Sequence, residues 1–140
     1  QSWFVVVPSG DLHESDDRRH IARLSLPSRI PYVLATSHSP ILVLGDRMTG
    51  AARFVEQFGV GVAATYERGA FQRAVESILQ PEANLAMRRK AAELSSRFSD
   101  SGAADWLWDS LVYGAPADRR YEDLMPKEGV ELGDLRLAQT

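Results

Sequence analysis

The sequence predicts an α/β domain in which helices flank a parallel β-sheet. Two observations carry this prediction. Short runs rich in Val, Ile and Leu alternate along the chain with longer segments of helical periodicity. One of these runs, residues 41–44, is apolar at every position, which is typical of a parallel strand covered on both faces. The length of 140 residues suits a single domain with a substantial core.

Strands are predicted at residues 3–7, 41–44 and 60–64. The first is apolar and β-branched and is closed by a Pro-Ser-Gly turn. The second is the continuous apolar run, and the third follows the glycine at position 59. Residues 11–22, between the first strand and the first predicted helix, are mostly polar, so we expect an exposed loop there.

Helical periodicity or helix-boundary residues indicate five helices, at residues 29–37, 50–58, 68–79, 82–98 and 103–113. Ser28 is a plausible N-cap of the first helix, because Pro31 is tolerated only in a first turn. Thr49 is expected to cap the second helix, and Pro81 separates the third helix from the fourth. Strands and helices therefore alternate as in a sheet with crossover connections.

The periodic part of the chain ends at Gly114. Residues 1–114 are predicted to form the domain, and residues 115–140 a peripheral or disordered tail. A doubly wound sheet normally has about five or six strands, and three are predicted here. We therefore interpret the chain as the later part of a doubly wound, Rossmann-like domain that is preceded by further sequence.

Composition excludes several classes of function. The formal net charge of −3 leaves no basic surplus with which to neutralise a nucleic-acid backbone. No apolar run approaches the roughly 18 residues of a membrane-spanning helix, and the absence of cysteine rules out thiolate chemistry. A polar stretch contains residue types that bind metals, but without a metal-site spacing, so we expect no metal; its members are His13, Glu14, Asp16, Asp17 and His20.

The loop before the residue 29–37 helix is the candidate binding site. Free amides and the positive end of the helix dipole meet there, and Arg23 and Arg29 flank them. This combination favours an anionic ligand such as a phosphate. The alternative is a basic, Pro-punctuated loop without a ligand.

Five short segments occur in a characteristic order, and they are FVVVP at 4–8, RLSLPSR at 23–29, YVLA at 32–35, PILV at 40–43 and FGVG at 58–61. In this order they resemble the C-terminal, nucleotide-sugar-binding domain of GT-B glycosyltransferases, in the branch related to the group 1 retaining enzymes. Arg97-Phe98-Ser99, followed by Trp106 and Trp108, resembles the closing region of that domain. The resemblance covers about residues 2–111.

The resemblance implies a site for the diphosphate of a nucleotide-sugar donor, with no further cofactor. Residues that match the phosphate-binding loop are Arg23, Ser25, Leu26 and Ser28, and Arg29 matches the basic position that follows. The chain departs from the family where Leu24 and Tyr32 replace two glutamates and where His38 replaces a glycine. No catalytic residue is identified.

The resemblance further implies a cytoplasmic enzyme whose acceptor binds mainly to an N-terminal lobe outside this chain. Contact with a membrane surface is compatible with this reading, whereas the domain by itself is expected to be inactive. Two alternatives stay open: a non-catalytic α/β interaction module, and another phosphosugar enzyme such as a nucleotide-sugar epimerase.

Overall fold

The computed structural model describes residues 3–10, 12, 19–98, 102–121 and 124. Within them, three parallel strands form one sheet in the order β1-β2-β3; they are β1 (Val5–Pro8), β2 (Ile41–Leu44) and β3 (Gly61–Ala64). Val5 is opposite Ile41, and Ile41 is opposite Gly61, so the strands begin level with one another. The predicted α/β class, with a Rossmann-like parallel sheet flanked by helices, is confirmed.

The helices are α1 (Arg19–Leu24), α2 (Arg29–Thr36), α3 (Gly50–Gln57), α4 (Arg68–Leu79), α5 (Pro81–Ser95) and α6 (Ala103–Tyr113), with a 3₁₀ turn at Ser96–Phe98 after α5. Helix α1 corrects the prediction of a loop at residues 11–22, because the last part of that segment is helical. Its six residues are too few to show a helical period in the sequence. Residues 11 and 13–18 of that predicted loop lie outside the described part of the chain.

Helices cover both faces of β2. Ile41 and Val43 point into a first core cluster with α2, α3 and α5, which also contains Ile30, Leu34, Ala51, Ala52, Phe54, Val55, Ala91 and Leu94. Leu42 points the other way, into a second cluster with Ala74 and Ile78 of α4. All three β2 residues are fully excluded from solvent. This confirms the two-sided burial predicted from the continuous apolar run.

The two predicted N-caps differ in the structure. Thr49 caps α3, since its Oγ1 accepts a hydrogen bond from the Ala52 amide at 3.3 Å. Ser28 occupies the N-cap position of α2, but its φ of −57° and ψ of −21° are helical and its side chain makes no capping bond. Ser28 is thus the N-cap residue by position, as predicted, but it lacks the side-chain hydrogen bond of a typical N-cap.

Residues after Gly114 make specific contacts with the domain. Trp106 Nε1 donates to the Asp118 carbonyl at 3.2 Å, and the Trp106 ring meets Tyr121 edge-on with centroids 4.8 Å apart. Leu124 packs against the first core cluster. A hydrogen bond from the Arg120 guanidinium lowers the pKa of Asp118. The division at Gly114 stays a prediction, and residues 122, 123 and 125–140 lie outside the described part.

Gly61 of β3 has no room for a side chain beside the backbone of β2. A Cβ added there would collide with the Ile41 carbonyl oxygen. Because that atom belongs to the backbone of the central strand, a side chain could be accommodated only by separating the two strands.

We expect Gly61→Ala to lower the free energy of unfolding by about 3 kcal/mol or more, since it overpacks the sheet against rigid backbone. Gly69→Ala is the matched control. Its Cβ would meet nothing closer than the end of the Arg73 side chain at 3.4 Å, and alanine in a helix should raise stability by about 0.5–1 kcal/mol. Urea denaturation measures both. Equal stabilities of the two variants would contradict the close approach.

His38, which follows α2, has a positive φ of 51°, and its amide donates to the Val33 carbonyl at 3.1 Å. This left-handed conformation after a helix is one that glycine adopts without strain. We therefore expect His38→Gly to raise the free energy of unfolding by up to about 1 kcal/mol. Ser37→Gly, at a φ of −123°, should give no gain. Thermal unfolding measures the stability of both variants. An equal change in stability for both would show that His38 is not strained.

Candidate anion-binding site at the carboxyl edge of the sheet

The segments that follow the three strands are tied together by hydrogen bonds. The Asp46 amide, after β2, donates to the Gly10 carbonyl, after β1, at 3.2 Å. The Tyr66 hydroxyl, after β3, donates to the Ser9 carbonyl at 2.8 Å. Gly45 makes this approach possible: its φ is +155°, and a Cβ there would lie 2.9 Å from the Ser9 oxygen. The carboxyl edge of the sheet is thus one connected unit.

Asp46 organises the turn between β2 and α3. Its Oδ1 accepts from the Met48 amide at 2.7 Å. Its carbonyl accepts from the Thr49 amide at 3.1 Å and from the Thr49 hydroxyl at 2.8 Å. Because Thr49 in turn caps α3, the position of Asp46 is fixed from both sides.

The end of α1 rests on the start of α3. A Cβ added to Gly50 would lie 2.7 Å from the Ser25 carbonyl oxygen and 3.0 Å from that of Arg23, so only glycine allows this contact. Arg53 Nη2 donates to the Arg23 carbonyl at 2.9 Å. Arg53 Nε is buried and has no hydrogen-bond partner among the described residues. The short helix α1 is therefore attached at its carboxyl end.

A cavity of about 320 Å³ opens where α1 meets the β2–α3 turn. It is lined by Leu12, Arg19, His20, Arg23, Asp46 and Met48. Among the described residues of this lining, basic side chains outnumber acidic ones, which favours an anionic ligand. The sequence analysis does not place Arg19 and His20 at this site, because it predicts a loop for their segment. Asp46 falls in the turn after β2, where ligands of doubly wound sheets bind, and this was the available signal.

The five residues predicted to bind a diphosphate are spread along one segment. Arg23 lines the cavity. The carbonyl of Ser25 lies against Gly50. The Leu26 side chain packs on the first core cluster, so only the backbone of Leu26 could contact a ligand. Ser28 and Arg29 are exposed at the start of α2 and do not line the cavity. Of the five, only Arg23 reaches the cavity.

The start of α2 offers fewer free amides than an ordinary helix. The Ile30 amide donates to the Pro27 carbonyl at 2.9 Å, and Pro31 has no N–H. The Tyr32 amide donates to the Ser28 carbonyl at 3.3 Å. The amides of Ser28 and Arg29 donate to no other residue in the described part of the chain. Two N–H groups therefore remain for a ligand beside the Arg29 side chain.

A second cavity, of about 210 Å³, is lined by Phe58, Lys90, Glu93, Leu94 and Arg97. Phe58 follows α3, so this cavity lies towards the amino ends of the strands. Ligands of doubly wound sheets bind at the opposite edge. The first cavity is therefore the better candidate site.

The Arg53 contact yields a prediction about the attachment of α1. Arg53→Met keeps much of the apolar stem but removes a charged hydrogen bond, so the free energy of unfolding should fall by about 1.5–3 kcal/mol. Backbone amides of residues 21–25 should exchange faster with solvent. Arg89→Met, on the exposed side of α5, is the control and should change stability by less than about 0.5 kcal/mol. Unchanged exchange in Arg53→Met would show that α1 is held by other contacts.

Within the described ranges, no helix is long and apolar enough to cross a membrane, and no group of three His, Cys, Asp or Glu side chains is placed to hold a metal ion.

Comparisons of the chain with protein-family models, with curated proteins and with solved structures found no significant match.

Proposed function

We propose that this protein binds the diphosphate of a nucleotide sugar at the carboxyl edge of its sheet, and that it is the donor-binding part of a glycosyltransferase. The observation that carries the proposal is the basic cavity beside Arg23, at the edge where doubly wound sheets bind nucleotides. The order of sequence segments that resembles GT-B enzymes supplies the reaction class.

Residues 23–29 form the proposed diphosphate segment. One end carries the Arg23 side chain in the cavity, and the other carries Arg29 with the free amides at the start of α2. A guanidinium donates two parallel hydrogen bonds to a phosphate and keeps its charge at all physiological pH values. Backbone N–H groups at the start of a helix are uncharged donors that also bind anions. The segment thus combines the two kinds of group that bind diphosphates.

In glycosyl transfer, the bond between the sugar C1 and a diphosphate oxygen breaks, and negative charge develops on the leaving diphosphate. Fixed positive groups beside that oxygen stabilise the charge as it forms. Arg23, which lines the cavity, is proposed for this role, and Arg29 is proposed to contact the same diphosphate from the start of α2. By the same resemblance, the acceptor and the group that activates it are proposed to bind on an N-terminal lobe outside residues 1–140, so these residues alone should bind donor without transferring the sugar.

Calorimetric titration with UDP, GDP and ADP tests the proposal. We expect one of these nucleotides to bind, and expect Arg23→Ala and Arg29→Ala each to weaken its binding by about 1.5–3 kcal/mol, which is roughly 10- to 150-fold. Arg89→Ala removes one positive charge from an exposed helix face and should leave the affinity unchanged. Absence of binding by all three nucleotides would overturn the proposal.

The two arginine variants also locate the ligand. A loss confined to Arg23→Ala would place the diphosphate in the cavity, and a loss confined to Arg29→Ala would place it at the start of α2. Equal affinity of both variants and the native protein would remove residues 23–29 from the site.

A further inference from the structure

We infer that Asp46 binds a hydroxyl group of the ligand, so that the cavity selects a phosphorylated polyol, such as the sugar units of a nucleotide sugar, over a bare phosphate anion. This inference rests on the proposed function for the anionic part of the ligand. It adds a second contact, from a different element that lines the same cavity.

The first observation is that one carboxylate oxygen of Asp46 accepts no hydrogen bond from the described residues. Asp46 Oδ1 accepts from the Met48 amide, which makes the side chain part of the turn. Across the described residues, neither a hydrogen bond nor an ion pair involves the other carboxylate oxygen, Oδ2. The side chain is only partly buried and lines the cavity. One oxygen therefore holds the turn, and the other is available to a ligand.

The second observation is that three basic residues of the same cavity do not neutralise this carboxylate. Arg19, His20 and Arg23 all line the cavity with Asp46. Over the ranges that the structure describes, no ion pair joins Asp46 to any of them. The cavity consequently has a basic wall on α1 and an acidic wall on the β2–α3 turn.

These two walls call for a ligand of two parts. A phosphate satisfies the basic wall but is repelled by the carboxylate. A hydroxyl donates a charge-assisted hydrogen bond to a carboxylate, which is about twice as strong as a neutral one. A molecule that carries both groups is complementary to the whole cavity, whereas pyrophosphate matches only one side of it.

Asp46→Asn separates the structural role of this residue from the proposed binding role. The amide oxygen of asparagine can still accept from the Met48 amide, so the turn keeps its hydrogen bond. The negative charge is lost, however, and a hydroxyl loses its charged acceptor. The variant should unfold at nearly the same temperature as the native protein, which thermal unfolding checks.

Calorimetry of the native protein and Asp46→Asn then uses three probes: pyrophosphate, the nucleoside diphosphate that the native protein binds, and the glucose ester of that nucleotide. We expect the variant to bind at least one of the two sugar-containing probes roughly tenfold more weakly. It should bind pyrophosphate as tightly as the native protein or more tightly, because a repelling charge is gone.

Glu67→Gln is the matched control, because Glu67 is an exposed acid after β3 at the same edge of the sheet but does not line the cavity. It should leave all three affinities unchanged. If Asp46→Asn lowers the affinity for all three probes equally, or for none of them, the inference is overturned while the proposed function stands. Failure of the native protein to bind any nucleoside diphosphate would overturn both.

Discussion

Burial of β2 between two layers of helices is the constraint on which the rest of the structure depends. Ile41, Leu42 and Val43 each lose all contact with solvent, and burial of such a side chain is worth about 1.5–3 kcal/mol. Because the three strands are parallel, each connection must return the chain to the same starting edge, and the connecting helices cover both faces of the sheet. All segments that leave the strands therefore converge at one edge, where the cavity forms.

Much of this fold could be predicted from local sequence. The unbroken apolar run defined β2, and its two-sided burial followed from that run alone. Helices α4 and α6 were predicted with their observed bounds, because Pro81 and the glycines at 102 and 114 mark helix ends and each helix is long enough to show a period. Thr49 was readable as a cap because it precedes a clear amphipathic segment.

The candidate site could be predicted only in part, because its geometry depends on contacts between distant segments. Arg23 was found from its place before a helix, but Arg19 and His20 join it only because α1 forms and rests on α3. The reason for glycine at 45, 50 and 61 is likewise a close approach of backbone from elsewhere in the chain. Ser28 holds the N-cap position that its residue type favours, but its backbone is already helical and its side chain makes no capping hydrogen bond.

Helix α1 carries the three basic residues that line the cavity in the described part of the chain. Six residues form too short a helix to be stable by themselves, so the helical state of this segment depends on what it touches. An anion held by Arg19, His20 and Arg23 would bind the helical form and not the coil. By mass action, such an anion would increase the helical population as its concentration rises. The degree of order in α1 would then report the occupancy of the cavity.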